Sequence, residues 1–191
     1  LYQVLKERLF DPLGMKDTGF YLGAADFDRL AEPLPNDADS RLVRQRSPRV
    51  PMKWESGGTG MVSTVADFAR FCQMLLNRGT LDGRQYLSPE TFKQMVSDHI
   101  GRGSGVARDQ FYFPGDGYGF GYGFGVRTDA GSAKPPEPGS PGEIKWEGAS
   151  GTSFAVDFRQ ELFFVLMEQA PSQRQRIQRT VRQLIYDALE K

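Results

Sequence analysis

An α+β fold, an antiparallel sheet flanked by helices, is predicted for these 191 residues by three observations. Before the sheet, Val65, Phe68, Ala69, Cys72, Leu75 and Leu76 recur at the spacing of one helical face. Short strand-like runs bounded by turn residues crowd the last third: Gly125 to Asp129, Glu143 to Ala149, Thr152 to Phe158 and Leu162 to Glu168. After Pro171, the stripe Ile177, Val181, Leu184, Ile185, Ala188 and Leu189 marks a helix placed to cover one sheet face, with arginines and glutamines on its other side. The length suits one domain, with a mostly helical and loop part over about 1–117 and the sheet with its last helix over about 118–191.

Each element has a local reason. Leu1, Val4, Leu5 and Leu9 follow helical spacing, and the helix is expected to stop at Asp11-Pro12, because proline disfavours helical geometry in the residue before it. Gly23 to Pro51 holds four prolines and no clear period, which predicts an extended loop with short strand pieces around Leu30 and Val43. Thr64 and Asp67 form a capping-box-like pair opening a helix that Gly79 closes. Leu81-Asp82-Gly83-Arg84 reads as a turn, and Ser88 caps a helix over about Pro89 to His99 that buries Phe92, Met95 and Val96. Gly101, Gly103 and Gly105 break the order after it.

From Tyr118 to Val126 glycine and aromatic residues alternate, so one strand would carry Tyr118, Phe120, Tyr122 and Phe124 on a single face. Ala130 to Gly142, rich in proline and glycine, reads as a solvated and mobile connection. Leu162 to Met167 is apolar on both faces, as a central strand covered on both sides would be.

Composition removes several function classes. Twenty-four basic residues balance twenty-four acidic ones, with no run of five like charges, so neither nucleic acid nor an anionic membrane surface is an expected partner. The longest apolar run is six residues against the ~20 that span a bilayer as a helix. Cys72 and His99 are each the sole residue of their type, which excludes an internal disulfide and a cysteine- or histidine-cluster metal site; no cofactor or metal is implied. Cys72 lies on the helical stripe as a core residue, and His99 reads as a helix-end residue. Neither a Gly-x-Ser-x-Gly elbow nor a phosphate-binding Gly-x-x-x-x-Gly-Lys-Ser/Thr loop occurs. Stacking of nucleobases on the glycine-aromatic alternation is disfavoured by the zero net charge.

Five segments in order then carry a resemblance: Arg8 to Thr18, Gly57 to Asp67, Leu81-Asp82-Gly83 with Leu87-Ser88-Pro89-Glu90, Tyr122-Gly123-Phe124-Gly125, and Trp146 to Thr152. Together they resemble the C-terminal part of the superfamily of serine β-lactamases, penicillin-binding proteins and esterases. The resemblance implies the C-terminal portion of a β-lactamase/transpeptidase-like fold and acyl-enzyme chemistry on a small ester or amide. It also implies site residues on the third-motif strand: Trp146, Glu147, Gly148 and Ser150 against the substrate, and the Ala149 backbone N–H as an oxyanion donor. Gly148 would avoid crowding the substrate, and Gly151 would permit the turn.

The departures from the family pattern are informative. Ser-x-x-Lys, the family's nucleophile motif, occurs nowhere in the 191 residues, so nucleophile and base are expected outside this chain and the chain alone is expected to be inactive. Together with a helix that begins at Leu1 without a cap, this leads to the expectation of a C-terminal fragment whose partner would be the N-terminal half of the same protein, with an open sheet edge that would favour self-association. Trp146-Glu147 stands where lactamases and peptidases carry Lys-Thr/Ser, and Lys145 would point to the opposite strand face, so an esterase-like activity is favoured over a β-lactamase or D,D-peptidase. Tyr86 imitates the family's second motif but is given no catalytic role, because Ser88 is explained as an N-cap. The alternative class is a β-lactamase-like binding protein that has lost the chemistry. Compartment and substrate identity are not encoded in these features.

Overall fold

The computed structural model describes residues 1–43, 47–51, 54–101, 104–106 and 111–189. It has the α+β architecture: helices α1 (Tyr2–Leu5), α2 (Asp11–Leu13), α3 (Ser40–Val43), α4 (Val65–Leu76) and α5 (Pro89–Met95) precede a five-stranded antiparallel sheet, and α6 (Arg174–Leu189) follows it. A small hairpin, β1 (Thr80–Leu81) and β2 (Arg84–Gln85), turns through Asp82 and Gly83, both at positive φ. The sheet runs β3 (Tyr118–Phe120), β4 (Gly125–Arg127), β5 (Ile144–Glu147), β6 (Ser153–Asp157), β7 (Leu162–Leu166), each strand beside its sequence neighbour.

The first helix continues past the expected stop at Asp11-Pro12. A π-turn over Lys6–Phe10 joins α1 to α2, which ends at Gly14 in the left-handed conformation. The wide turn has already interrupted the regular ladder where Pro12 lacks its N–H, so the proline costs little there. The same turn rotates the apolar stripe: Phe10 and Leu13 are buried, whereas Val4 is 54% exposed. Among the described residues the strand pieces expected around Leu30 and Val43 do not form; a 3-10 turn spans Ala24–Arg29 and α3 covers Ser40–Val43. The break expected at Gly103 lies outside the described residues.

The capping box at α4 is half made. Thr64 Oγ1 accepts from Asp67 N at 3.2 Å, but the Asp67 carboxylate turns away to accept from Asp17 N at 2.7 Å and Thr18 Oγ1 at 2.8 Å. A tertiary bond with a buried partner outcompetes the local cap, and it ties two of the quoted segments together. Cys72, Met74 and Leu75 form the buried heart of α4, which packs on β6 and β7, while Val65 is exposed at the helix start. Burial pushes the Cys72 thiol up to about 12. Leu75→Ala is expected to destabilise the fold by about 2–5 kcal/mol, read from the urea midpoint, because its side chain is fully enclosed.

The helix expected over Pro89–His99 ends at Met95, and His99 stacks on Tyr122 with ring centroids 4.5 Å apart. The single glycine-aromatic strand is instead the β3–β4 hairpin. Gly123, at φ 88, supplies the turn that alternation alone does not reveal, and Phe124 goes to the core while Tyr122 faces solvent. Strand β7, expected to be central, stands at the end of the strand order, paired among the described residues with β6. Its apolar residues are half-buried throughout, and the strand packs on α4.

The last helix also departs from expectation. Leu184 is 62% exposed, and the buried side of α6 consists of Gln178, Arg182 and Tyr186. The sheet face beneath is itself polar, so an apolar stripe would have left buried carboxylates unpaired. Arg182 Nη2 lies 2.6 Å from both oxygens of Glu143, Tyr118 Oη donates to Glu143 at 2.5 Å, and Tyr186 Oη reaches Glu143 at 2.7 Å and Asp157 at 2.9 Å. Segment 130–142, expected to be solvated, folds into this layer: Glu137 pairs with Lys145 at 2.8 Å, and Ser140 N donates to Asp157 at 3.0 Å. Among the described residues no helix is long and apolar enough to cross a membrane.

Candidate active site

A cleft of about 780 Å³ opens between the β5–β6 turn, the end of β7, the start of α4 and the loop after α2. This volume falls in the range of small-molecule sites. A second hollow, between Phe20 and Trp54, has about 20 Å³ and is too small for more than a water.

Four of the five residues expected at the site line the cleft: Trp146, Glu147, Gly148 and Ser150. Trp146 pairs with Phe154 across the sheet and packs by its other flank on Tyr112, Phe120 and Phe113, with centroids 4.7, 5.4 and 5.8 Å away. It is therefore both a core anchor and a cleft wall. Lys145, the alternate residue, is buried on the opposite face, ion-paired to Glu137 and set over the Phe113 ring at 4.1 Å, and it does not line the cleft. Tyr86, given no catalytic role, donates its hydroxyl to Pro12 O at 2.7 Å, and Ser88 caps α5 as expected.

The fifth residue, Ala149, sits at the exposed tip of the tight turn Gly148-Ala149-Ser150-Gly151. Gly151 N donates to Gly148 O at 3.1 Å, and Gly148 N donates to Thr152 O at 2.7 Å. In a trans peptide the N–H points opposite to the C=O, so the bond that draws Gly148 O into the turn directs Ala149 N–H outward. Among the described residues no acceptor meets that N–H. Gly151 lies at φ 116, where side-chain-bearing residues are strained. A Cβ at Gly148 would overlap Thr152 Oγ1, which would have to swing away to admit one.

The opposite wall was not visible in the sequence reading. Phe68 and Phe71 of α4 and the loop from Lys16 to Ala31 complete the cleft. The loop is held by Thr18 Oγ1, which lies 2.8 Å from both Asp67 Oδ2 and Ser63 Oγ, and by the Gly19–Val62 bridge. The only signal for this contact was that both partners fall within quoted segments. Among the described residues the charged lining comprises two cations, Lys16 and Arg29, against four acids, Asp17, Asp26, Glu147 and Glu168. Arg29 is already paired with Asp17 at 3.0 Å and Asp26 at 2.7 Å, and its hydrogen bond holds the Asp17 carboxyl below its ordinary value. Burial raises the Glu168 carboxyl, whose Oε1 is enclosed without a partner among the described residues.

The Beta-lactamase family model matches residues 1–187. An uncharacterized protein of Mycobacterium tuberculosis, from strain CDC 1551 / Oshkosh, is 36% identical over 177 residues, covering 88% of this chain and 43% of the relative. The solved structure of EstCE1, described as a hydrolase with promiscuous acyltransferase activity, is 25% identical with a TM-score of 0.70, over 96% of this chain and 50% of that one. Simvastatin synthase from Aspergillus terreus has the same fold at 20% identity and TM-score 0.70, over 97% of this chain and 50% of that one. A penicillin-binding protein homolog from Caulobacter crescentus shares it at 20% identity and TM-score 0.61, over 87% and 46%. The chain thus spans about half the length of these relatives. Matched along nearly its whole length, it belongs to the beta-lactamase family and has the C-terminal part of that serine hydrolase fold.

Proposed function

We propose that this chain is the C-terminal part of a serine hydrolase that acts through an acyl-enzyme on a neutral ester or amide. The reading is carried by the Ala149 N–H, turned outward from the tight turn whose neighbours Trp146, Glu147, Gly148 and Ser150 line the cleft, although Ala149 itself is not among the lining residues. A tetrahedral intermediate develops negative charge on oxygen, and a fixed amide donor stabilises that charge without reorganising. Trp146, Glu147, Gly148 and Ser150 flank the bound acyl group, while nucleophile and base come from residues outside this chain. Arg29, engaged by Asp17 and Asp26, is not free to bind a substrate carboxylate, which favours a neutral substrate over a penicillin. The description of EstCE1 as a hydrolase with acyltransferase activity supports the esterase-like choice.

The complete gene product should hydrolyse p-nitrophenyl butyrate and be labelled once by a fluorophosphonate, on a peptide preceding Leu1. A hemisuccinate ester, anionic at neutral pH, should be turned over at least about tenfold less efficiently. This chain alone should do neither. Robust turnover by the chain alone would place the nucleophile within it and overturn the proposal, and a complete protein that neither turns over nor labels would be a binding protein.

A further inference from the structure

We propose that Gln178, on α6, is a positioning residue that clamps the β5–β6 turn and so aims the Ala149 N–H. The inference rests on the hydrolase reading for its catalytic consequence, but its geometric basis is independent. Gln178 is 7% exposed, and its Nε2 lies 2.7 Å from Gly151 O and 3.3 Å from Thr152 O. Two carbonyl oxygens can be met only by the NH₂ end of the amide, so the chemistry fixes the side chain's orientation.

The rest of the turn is braced in the same sense. Ser150 O accepts from Ala170 N at 2.9 Å, and Gly148 O accepts from Gly151 N. Arg174 Nη1, also on α6, stands 3.5 Å from Ala149 O, at the outer limit of a hydrogen bond. Every carbonyl from Gly148 to Thr152 therefore has a donor facing it, and each fixed carbonyl fixes the peptide plane that carries the next N–H. Gln178 supplies the buried bonds at the closing end, next to Gly151, whose amide sets the plane of the Gly148–Ala149 peptide. No short motif contains this residue; a helix about thirty positions downstream holds the turn by its polar underside.

The test uses the complete gene product. Gln178→Glu is nearly isosteric but sets a carboxylate against two carbonyl oxygens. kcat on p-nitrophenyl butyrate is expected to fall about ten- to a hundredfold, with KM within about twofold, because the amide is needed for the transition state more than for binding. Hydrogen exchange on peptides spanning residues 146–155 should quicken at the Gly148 and Gly151 amides. Gln178→Leu, which removes the donor without adding charge, carries the same expectation with a smaller loss and serves if the glutamate variant does not fold. Wild-type kcat together with wild-type exchange in these variants overturns the clamp while leaving the hydrolase reading intact. Faster exchange in a protein that hydrolyses no ester sinks the hydrolase reading and supports the clamp.

Discussion

Arg182→Met is expected to destabilise the protein by about 3–5 kcal/mol, the largest single loss on the outer face of the sheet. The guanidinium is almost wholly buried, meets both oxygens of the fully enclosed Glu143, and donates to Pro138 O at 2.8 Å through Nε. Among the described residues, removing it leaves the Glu143 carboxylate with the Tyr118 and Tyr186 hydroxyls as its side-chain donors, the second of them shared with Asp157. The cost comes from the stranded acid more than from the lost attraction. Accordingly, Arg182→Met combined with Glu143→Gln should be more stable than the sum of the two single variants, by at least about 1 kcal/mol in urea unfolding. A single-variant loss under about 1 kcal/mol would show that water reaches this layer and that α6 is held otherwise.

The same layer dictates a pH window. Burial favours the protonated Glu137 carboxyl, yet Lys145 and Arg182 outweigh it and hold the group below its ordinary 4.5. Its contribution is present above that value and is lost as pH falls through the lower folded value. Burial and the Glu143 charge raise the Tyr118 phenol above its ordinary 10.0, so its contribution is complete below that value and declines as pH rises beyond it. These two groups leave stability unchanged between those limits, but the raised Glu168 carboxyl lowers it just above 4.5 and the buried Cys72 thiol starts the alkaline decline above 9.0, a profile that urea midpoints across pH would read.

Gly151→Ala is expected to cost stability and activity by separable mechanisms. At φ 116 any side chain is strained by about 1–3 kcal/mol. A Cβ there would also stand 2.6 Å from Glu168 Cγ, and the crowding falls on the carboxyl already packed against the turn. Should the turn open to relieve either effect, the Gly151 N–H to Gly148 O bond lengthens and the Ala149 N–H loses its aim. In the complete protein the expected loss in kcat is about a hundredfold or more. Adding Glu168→Ala should return the steric part of the stability but not the activity, because the backbone strain remains. Wild-type kcat and thermal midpoint in Gly151→Ala would remove the turn from the mechanism.

The contrast between what was and was not legible follows the range of the forces involved. Ser88, the Asp82-Gly83 turn and the strands around Trp146 and Phe154 were readable because capping hydroxyls, positive-φ glycines and two-residue alternation act within a few positions. The expectation of one strand over Tyr118 to Val126 failed where a turn glycine, Gly123, was hidden inside a regular alternation. Helix α6 failed for a different reason. Its apolar stripe is real, but the surface that decides which side is buried is made of Glu143 and Asp157, residues spoken for by distant partners. Asp67 follows the same rule, leaving its local cap for Asp17 and Thr18 some fifty residues away.

The sequence by itself determined the fold class, the family resemblance and the strand that walls the cleft, because each is written in local spacing. Tertiary structure alone decided that Trp146 is both core and wall, that the loop after α2 closes the cleft, and that α6 grips the turn through Gln178. Those outcomes depend on buried polar groups finding partners across the chain, since an unpaired one costs more than a misplaced apolar stripe.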